Sequence, residues 1–180
     1  MPVAAPDPAD DGAAAHLVAG LKLPAINLGS TLGGVADPSA LKRAVLFVYP
    51  WTGRADLPNP PDWDDIPGAH GSTPQAAGFA SLNSQFCEAG VEVYGLSGQI
   101  SAEQREFAAR LGLPFALLSD HGFAFADMLE LPRFQTGGVV YLKRLTFLVR
   151  NGAIAETIYP VTRPAGHAAE LIARLHSDRF

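Results

Sequence analysis

Apolar residues in this chain fall into two alternating patterns, unbroken runs and residues spaced three or four apart. Ala44 to Tyr49 is continuous and rich in Val and Phe, as a strand covered on both faces would be. From Thr73 to Glu88, Ala76, Phe79, Leu82 and Phe86 recur at near-helical spacing, and Gly90 marks the stop. Val91 to Leu96 returns to strand character. Ser101, three residues ahead of Gln104, reads as the capping-box start of a helix ending near Leu111-Gly112-Leu113-Pro114. Phe115 to Ser119 reads as a short strand and Gly122 to Leu129 as a short helix. Leu145 to Val149 and Ala153 to Tyr159 flank Asn151-Gly152, the strongest short hairpin signal a sequence can carry. Gly166 to His176 closes the chain as a helix. Ahead of all these lie an apolar segment, Leu21 to Leu28, and a turn-rich stretch, Gly29 to Pro38. The order predicts an α/β fold, a mixed sheet with helices on both faces.

Composition narrows the class. With 180 residues, 48% hydrophobic and 17% charged, the chain can bury one substantial core, expected over residues 16–180. Met1 to Asp11 holds three Asp and three Pro and no basic residue. Residues 1–15 therefore read as a mobile tail, not a secretory signal. A net charge of −5 gives no attraction for phosphate backbones, which argues against nucleic acid as a partner. No apolar run approaches the ~20 residues of a membrane-spanning helix. Cys87 is the single cysteine, so no internal disulfide is possible, which suits a reducing cytoplasm. The histidines (His16, His70, His121, His167, His176) are scattered without zinc-type spacing. No metal or other cofactor is expected.

The chemistry concentrates at Gly71-Ser-Thr-Pro-Gln-Ala-Ala-Gly-Phe79, which follows the strand ending in Tyr49-Pro50 and opens the predicted helix. This order resembles the active-site region of peroxiredoxins, especially the Q type, also called bacterioferritin-comigratory proteins. There, a proline closing a strand leads to Gly-Cys-Thr at a helix start, often with a second cysteine five residues on. Here Ser72 stands at the first cysteine position and Ala77 at the second. Phe47-Val-Tyr-Pro50, Gly90-Val-Glu-Val-Tyr-Gly-Leu-Ser97, Leu111 to Asp120 and Lys143-Arg-Leu-Thr-Phe-Leu-Val149 also look like family counterparts, in the right order across residues 20–178. The resemblance implies a thioredoxin-like fold of peroxiredoxin type. It also implies reduction of hydrogen peroxide or organic hydroperoxides, with electrons returned by thioredoxin or a similar dithiol, in a monomer or homodimer.

Such chemistry needs a soft anionic nucleophile. An ordinary cysteine has a pKa near 8.5; a helix N-terminus and a neighbouring arginine lower it, to about 3.5–7.5 in reactive sites. Position 72 lies at the start of a predicted helix, where free N–H groups point outward. By resemblance, Arg144 is the arginine held against the sulfur, Pro50 the proline shielding the pocket floor, and position 77 the resolving thiol. The chain departs from the pattern in three places. Both thiols are absent, so that as written it is expected to lack peroxidase activity, either as a cysteine-substituted form or as a naturally thiol-free member. Ala69 occupies the position of the usual threonine. Pro50 precedes Ser72 by 22 positions instead of seven. The extra residues include Asp56 to Gly68, with four prolines and four acidic residues, an insertion placed at about 54–68.

Other readings stand beside this one. Ser72 before Thr-Pro-Gln is a good helix N-cap. As a hydrolase nucleophile it would need a base, and His70 has no evident carboxylate to orient it. A non-catalytic binding or sensing module on the same fold is a further alternative. Cys87, fifteen residues beyond Ser72, reads as a small buried hydrophobe, and Trp51 and Trp63 as loop anchors.

Overall fold

The structure is a computed structural model that describes residues 6–175. Its centre is a seven-stranded sheet built on β3 (Arg43–Val48). Alternate residues of β3 enter opposite layers of the core. Ala44, Leu46 and Val48 join Leu96, Leu118, Phe125 and Phe147 on one face, whereas Val45, Phe47 and Tyr49 join Phe79, Phe107, Leu117 and Leu171 on the other. Two covered faces require an unbroken apolar run, and the sequence supplies one.

β4 (Glu92–Ser97) and β5 (Ala116–Ser119) extend the sheet from β3 in parallel. The crossovers are α1 (Ser72–Ser81) with α2 (Asn83–Glu88), then α3 (Ser101–Leu111). α4 (Ala124–Met128) follows β5, and its first turn is held by Asp120, whose carboxylate accepts from the Phe125 and Ala126 N–H groups at 3.0 and 2.8 Å. β8 (Leu145–Arg150) pairs antiparallel with the other side of β3, and β9 (Ala153–Ile158) with β8. Their turn is the expected Asn151-Gly152, with both residues at positive φ (50° and 68°), as a two-residue hairpin of this hand demands. α5 (His167–Leu175) packs against α1. The last residue of the predicted closing helix, His176, lies outside the described residues.

Several local expectations are corrected. The single helix predicted over Thr73 to Glu88 breaks at Leu82, whose φ/ψ of −104°/5° is not helical. Ser81 Oγ donates to Gly78 O at 3.0 Å there, a local bond that competes with the helical ladder. The capping box at Ser101 does not form: Ile100 is the N-cap and no side chain caps the helix. Gln104 is instead fully buried and donates to Tyr49 Oη, Ser97 Oγ and Leu118 O. Two hairpins were not anticipated. One joins β1 (Leu28–Ser30) to β2 (Val35–Ala36); the other joins β6 (Arg133–Thr136) to β7 (Val139–Leu142) through Gly137-Gly138.

The end of the expected mobile tail packs on the body of the fold. Asp11 accepts from Lys143 Nζ at 2.6 Å and from Tyr159 Oη at 2.7 Å, and Ala14 is buried in the core. The Pro/Asp-rich insertion is anchored by buried Trp63. Its ring meets Trp51, Tyr141 and Phe134 at centroid distances of 5.4, 5.0 and 5.6 Å.

Candidate active site

The site lies where α1 begins, beside the carboxyl end of β3. Leu145 pairs with Val48, so Arg144, one residue earlier, is delivered to that end of the sheet. Gly71 precedes the helix at φ +111°, a conformation that L-residues with a side chain rarely adopt. A Cβ there would come within 2.3 Å of Pro164 Cγ. Ser72 is therefore the first helical residue and not the N-cap. Its hydroxyl does not bond back to the helix.

Instead, Ser72 Oγ accepts from Arg144 Nη2 at 3.1 Å. The same Nη2 group lies near the carbonyl oxygens of His70 (3.1 Å), Ala69 (3.4 Å) and Gly68 (3.4 Å). Nη1 donates to Gln75 Oε1 at 2.6 Å. Arg144 is only 4% exposed, and its Nε has no hydrogen-bond partner. Burial pushes its pKa down to about 9, still above neutral pH, so it carries its charge. Every oxygen it meets is neutral. A buried cation compensated only by dipoles, next to the positive end of a helix, favours an anion at position 72.

The structure thus brings Ser72 and Arg144 together and adds Gln75. Reading the sequence assigned Gln75 no role, although it stands in the quoted Thr-Pro-Gln. Ala77 is exposed while Ser72 is buried, so the two positions differ in environment. Pro50 does not line the cavity at Ser72. It lines a separate cavity with Trp51, Gln99, Glu103, His121 and Tyr141, whereas the 220 Å³ cavity at Ser72 is walled by Trp51, Trp63, Ala69, His70 and Gly71. Trp63, from the insertion, forms one side of that wall.

Cys87 is exposed, not buried, and accepts from Asn83 Nδ2 at 3.7 Å. The short α2 is amphipathic about Phe86, and Cys87 falls on its outer side. His70 does have a carboxylate, since Asp64 Oδ1 lies 2.6 Å from Nε2, contrary to the reading of the sequence. The pair is largely solvated, and Ser72 Oγ is engaged by Arg144, not by His70. A base within hydrogen-bond reach of the hydroxyl, which a serine hydrolase needs, is missing among the described residues.

Behind the site, His167 Nε2 and Thr146 Oγ1 are 2.9 Å apart, and the imidazole meets Phe79 edge-on. Burial, with lesser contributions from Arg174 and Arg144, pushes this histidine down to about 4. It is neutral at pH 7 and adds no charge to compete with Arg144.

Residues 67–157 match the AhpC/TSA family. A Coxiella burnetii protein named as a Bcp peroxiredoxin is 30% identical over 87% of this chain and 97% of its own length. Arabidopsis thaliana chloroplastic peroxiredoxin Q is 33% identical over 53% of this chain and 42% of its own. Among solved structures, Mycobacterium tuberculosis BcpB superposes with a TM-score of 0.71 at 24% identity, covering 92% of this chain and all of its own. The Xanthomonas campestris bacterioferritin comigratory protein, described for its alkyl peroxide reduction activity, gives 0.68 at 25% identity, covering 91% of this chain and all of its own. The chain belongs to the AhpC/TSA family and, within it, to peroxiredoxins of the Bcp, or Q, type.

Proposed function

We propose that this fold carries a thiol-peroxidase site whose nucleophile position is 72 and whose resolving position is 77, and that the chain as written, with Ser72 and Ala77, does not turn over peroxide. The observation that carries the reading is the 3.1 Å contact from buried Arg144 to Ser72 Oγ at the head of α1. A thiolate at that point would be stabilised by both the guanidinium and the helix, and Nη2 would remain near the attacked oxygen. In the thiol form, the cysteine sulfur attacks one peroxide oxygen and the O–O bond breaks. The departing oxygen takes a proton, and the sulfur is left as a sulfenic acid. The thiol at 77 then condenses with it, releasing water and forming a disulfide that thioredoxin or a similar dithiol reduces. A serine hydroxyl is too weakly acidic to supply the anion at neutral pH.

Peroxide consumption with dithiothreitol tests this reading. The chain as written should match an enzyme-free control, and the Ser72→Cys, Ala77→Cys variant should turn over. Clear turnover by the unaltered chain that vanishes in Cys87→Ser would make exposed Cys87 the nucleophile and overturn the reading.

A further inference from the structure

Arg144 borders a third cavity, of about 310 Å³, that Ser72 does not line. Its walls are mainly apolar, from Ile66, Pro67, Phe134 and Pro160, with Pro8 and Ala9 of the N-terminal segment along one side. Its charged borders are Lys143, Arg144 and Asp11. Asp11 is already engaged: its carboxylate takes Lys143 Nζ on one oxygen and Tyr159 Oη on the other. Those two contacts hold it well below the usual carboxylate range, so it is ionised and neutralises Lys143. Arg144 remains over: no carboxylate pairs with it, the oxygens around it are neutral, and Nε has no partner. A cavity of this size, apolar with a few convergent polar groups and one surplus buried cation, has the make-up of a small-ligand site. The buried cation determines which ligand, because an anion arriving there relieves an existing cost.

We propose that this cavity binds a small monocarboxylate with a compact apolar body, its carboxylate meeting Arg144 and its hydrocarbon part lying on Ile66, Phe134 and Pro160. An inorganic phosphate would satisfy the guanidinium but bring a strongly hydrated multiple charge against apolar walls. A neutral alcohol would fill the walls and leave the charge as it was. The carboxylate does both. The inference shares Arg144 with the peroxidase reading but needs neither Ser72 nor a thiol, so the Ile66→Trp arm separates the two.

The test is titration of the full chain at pH 7 with hexanoate, and separately with hexanol and inorganic phosphate, followed by amide chemical shifts. Hexanoate should move the amides of Ile66, Gly68, Phe134, Arg144 and Tyr159 and bind at least about tenfold more tightly than hexanol. Phosphate should move none of them. Arg144→Gln and, independently, the cavity-filling Ile66→Trp should each weaken hexanoate by about tenfold or more. The proposal fails if hexanoate causes no shifts up to the millimolar range, or if they fall on Trp51, His70 and Thr73 instead. It also fails if hexanol or phosphate binds as well as hexanoate, or if both variants bind hexanoate as the parent does.

Discussion

Arg144 and His167 show how one buried position keeps a charge while another, nearby, gives it up. Arg144 has five donors on a group that cannot readily lose its proton, so burial gathers carbonyl and amide oxygens around it. His167 releases its proton near pH 4 instead of about 6.5, the ordinary value. Because its folded value is depressed, stability is full above about pH 6.5 and is lost as pH falls toward 4, where the unfolded chain takes up the proton first. That shift corresponds to about 3 kcal/mol. Denaturant melts between pH 7 and pH 4 should show this slope in the parent and a shallower one in His167→Gln, and equal slopes would exclude His167 as its source. Glycine sets a different constraint in the 151–152 turn. A Cβ on Gly152 would fall 1.9 Å from Ser39 O, at φ +68°. Gly152→Ala should therefore cost at least about 2 kcal/mol, read as a lowered melting temperature.

Among these residues, Ser72 and Arg144 were legible in the sequence because each lies in a short motif at the edge of a regular element. The motif marked each residue, and the element fixed its place. Cys87, Pro50 and the His70–Asp64 pair were not legible. Whether Cys87 is covered depends on which side of a two-turn helix faces the sheet. The other two depend on the path of the 21 residues between Pro50 and Ser72, which have no periodicity.

At the scale of elements, α1 has to satisfy two requirements. It holds position 72 buried against Arg144 and position 77 exposed. Five residues along a helix separate the two by ~7.5 Å in axial rise, beyond the ~6.8 Å limit between Cα atoms in a disulfide. In Ser72→Cys, Ala77→Cys the first turn must unwind before the bond closes. The break at Leu82 confines that unwinding to one short helix. Peroxide treatment should yield the intramolecular disulfide by mass spectrometry, with sharply faster amide exchange over residues 71–82. A disulfide formed while α1 stays protected would rule out this arrangement. The break was not legible because Leu82 continues the apolar spacing and only weak helix formers around it indicate otherwise. The β6–β7 hairpin was hidden for a related reason. Its strands carry polar and apolar residues without alternation, and only Gly137-Gly138 signals a turn.

Across the whole molecule, the βαβ order and the continuous apolar strands made the fold readable, since a sheet buried on both faces has few other ways to be written. The docking of the N-terminal segment was not readable, because three acidic and three proline residues look like a solvated tail until Lys143 and Tyr159 are placed opposite Asp11. Those contacts are half exposed, so Asp11→Asn should cost less than about 1 kcal/mol. Hydrogen exchange should quicken over residues 9–15 with α1 unaffected, and no local change would mean the segment is held by its apolar contacts alone.

The central claim is that this architecture prepares position 72 for an anion, and thiolate absorbance against pH measures it most directly. In Ser72→Cys with Cys87→Ser, the new thiol should titrate well below 8.5, within about 3.5–7.5. Adding Arg144→Gln should raise that value by about 1–3 units. A thiol that titrates near 8.5 and does not respond to Arg144→Gln would contradict the account.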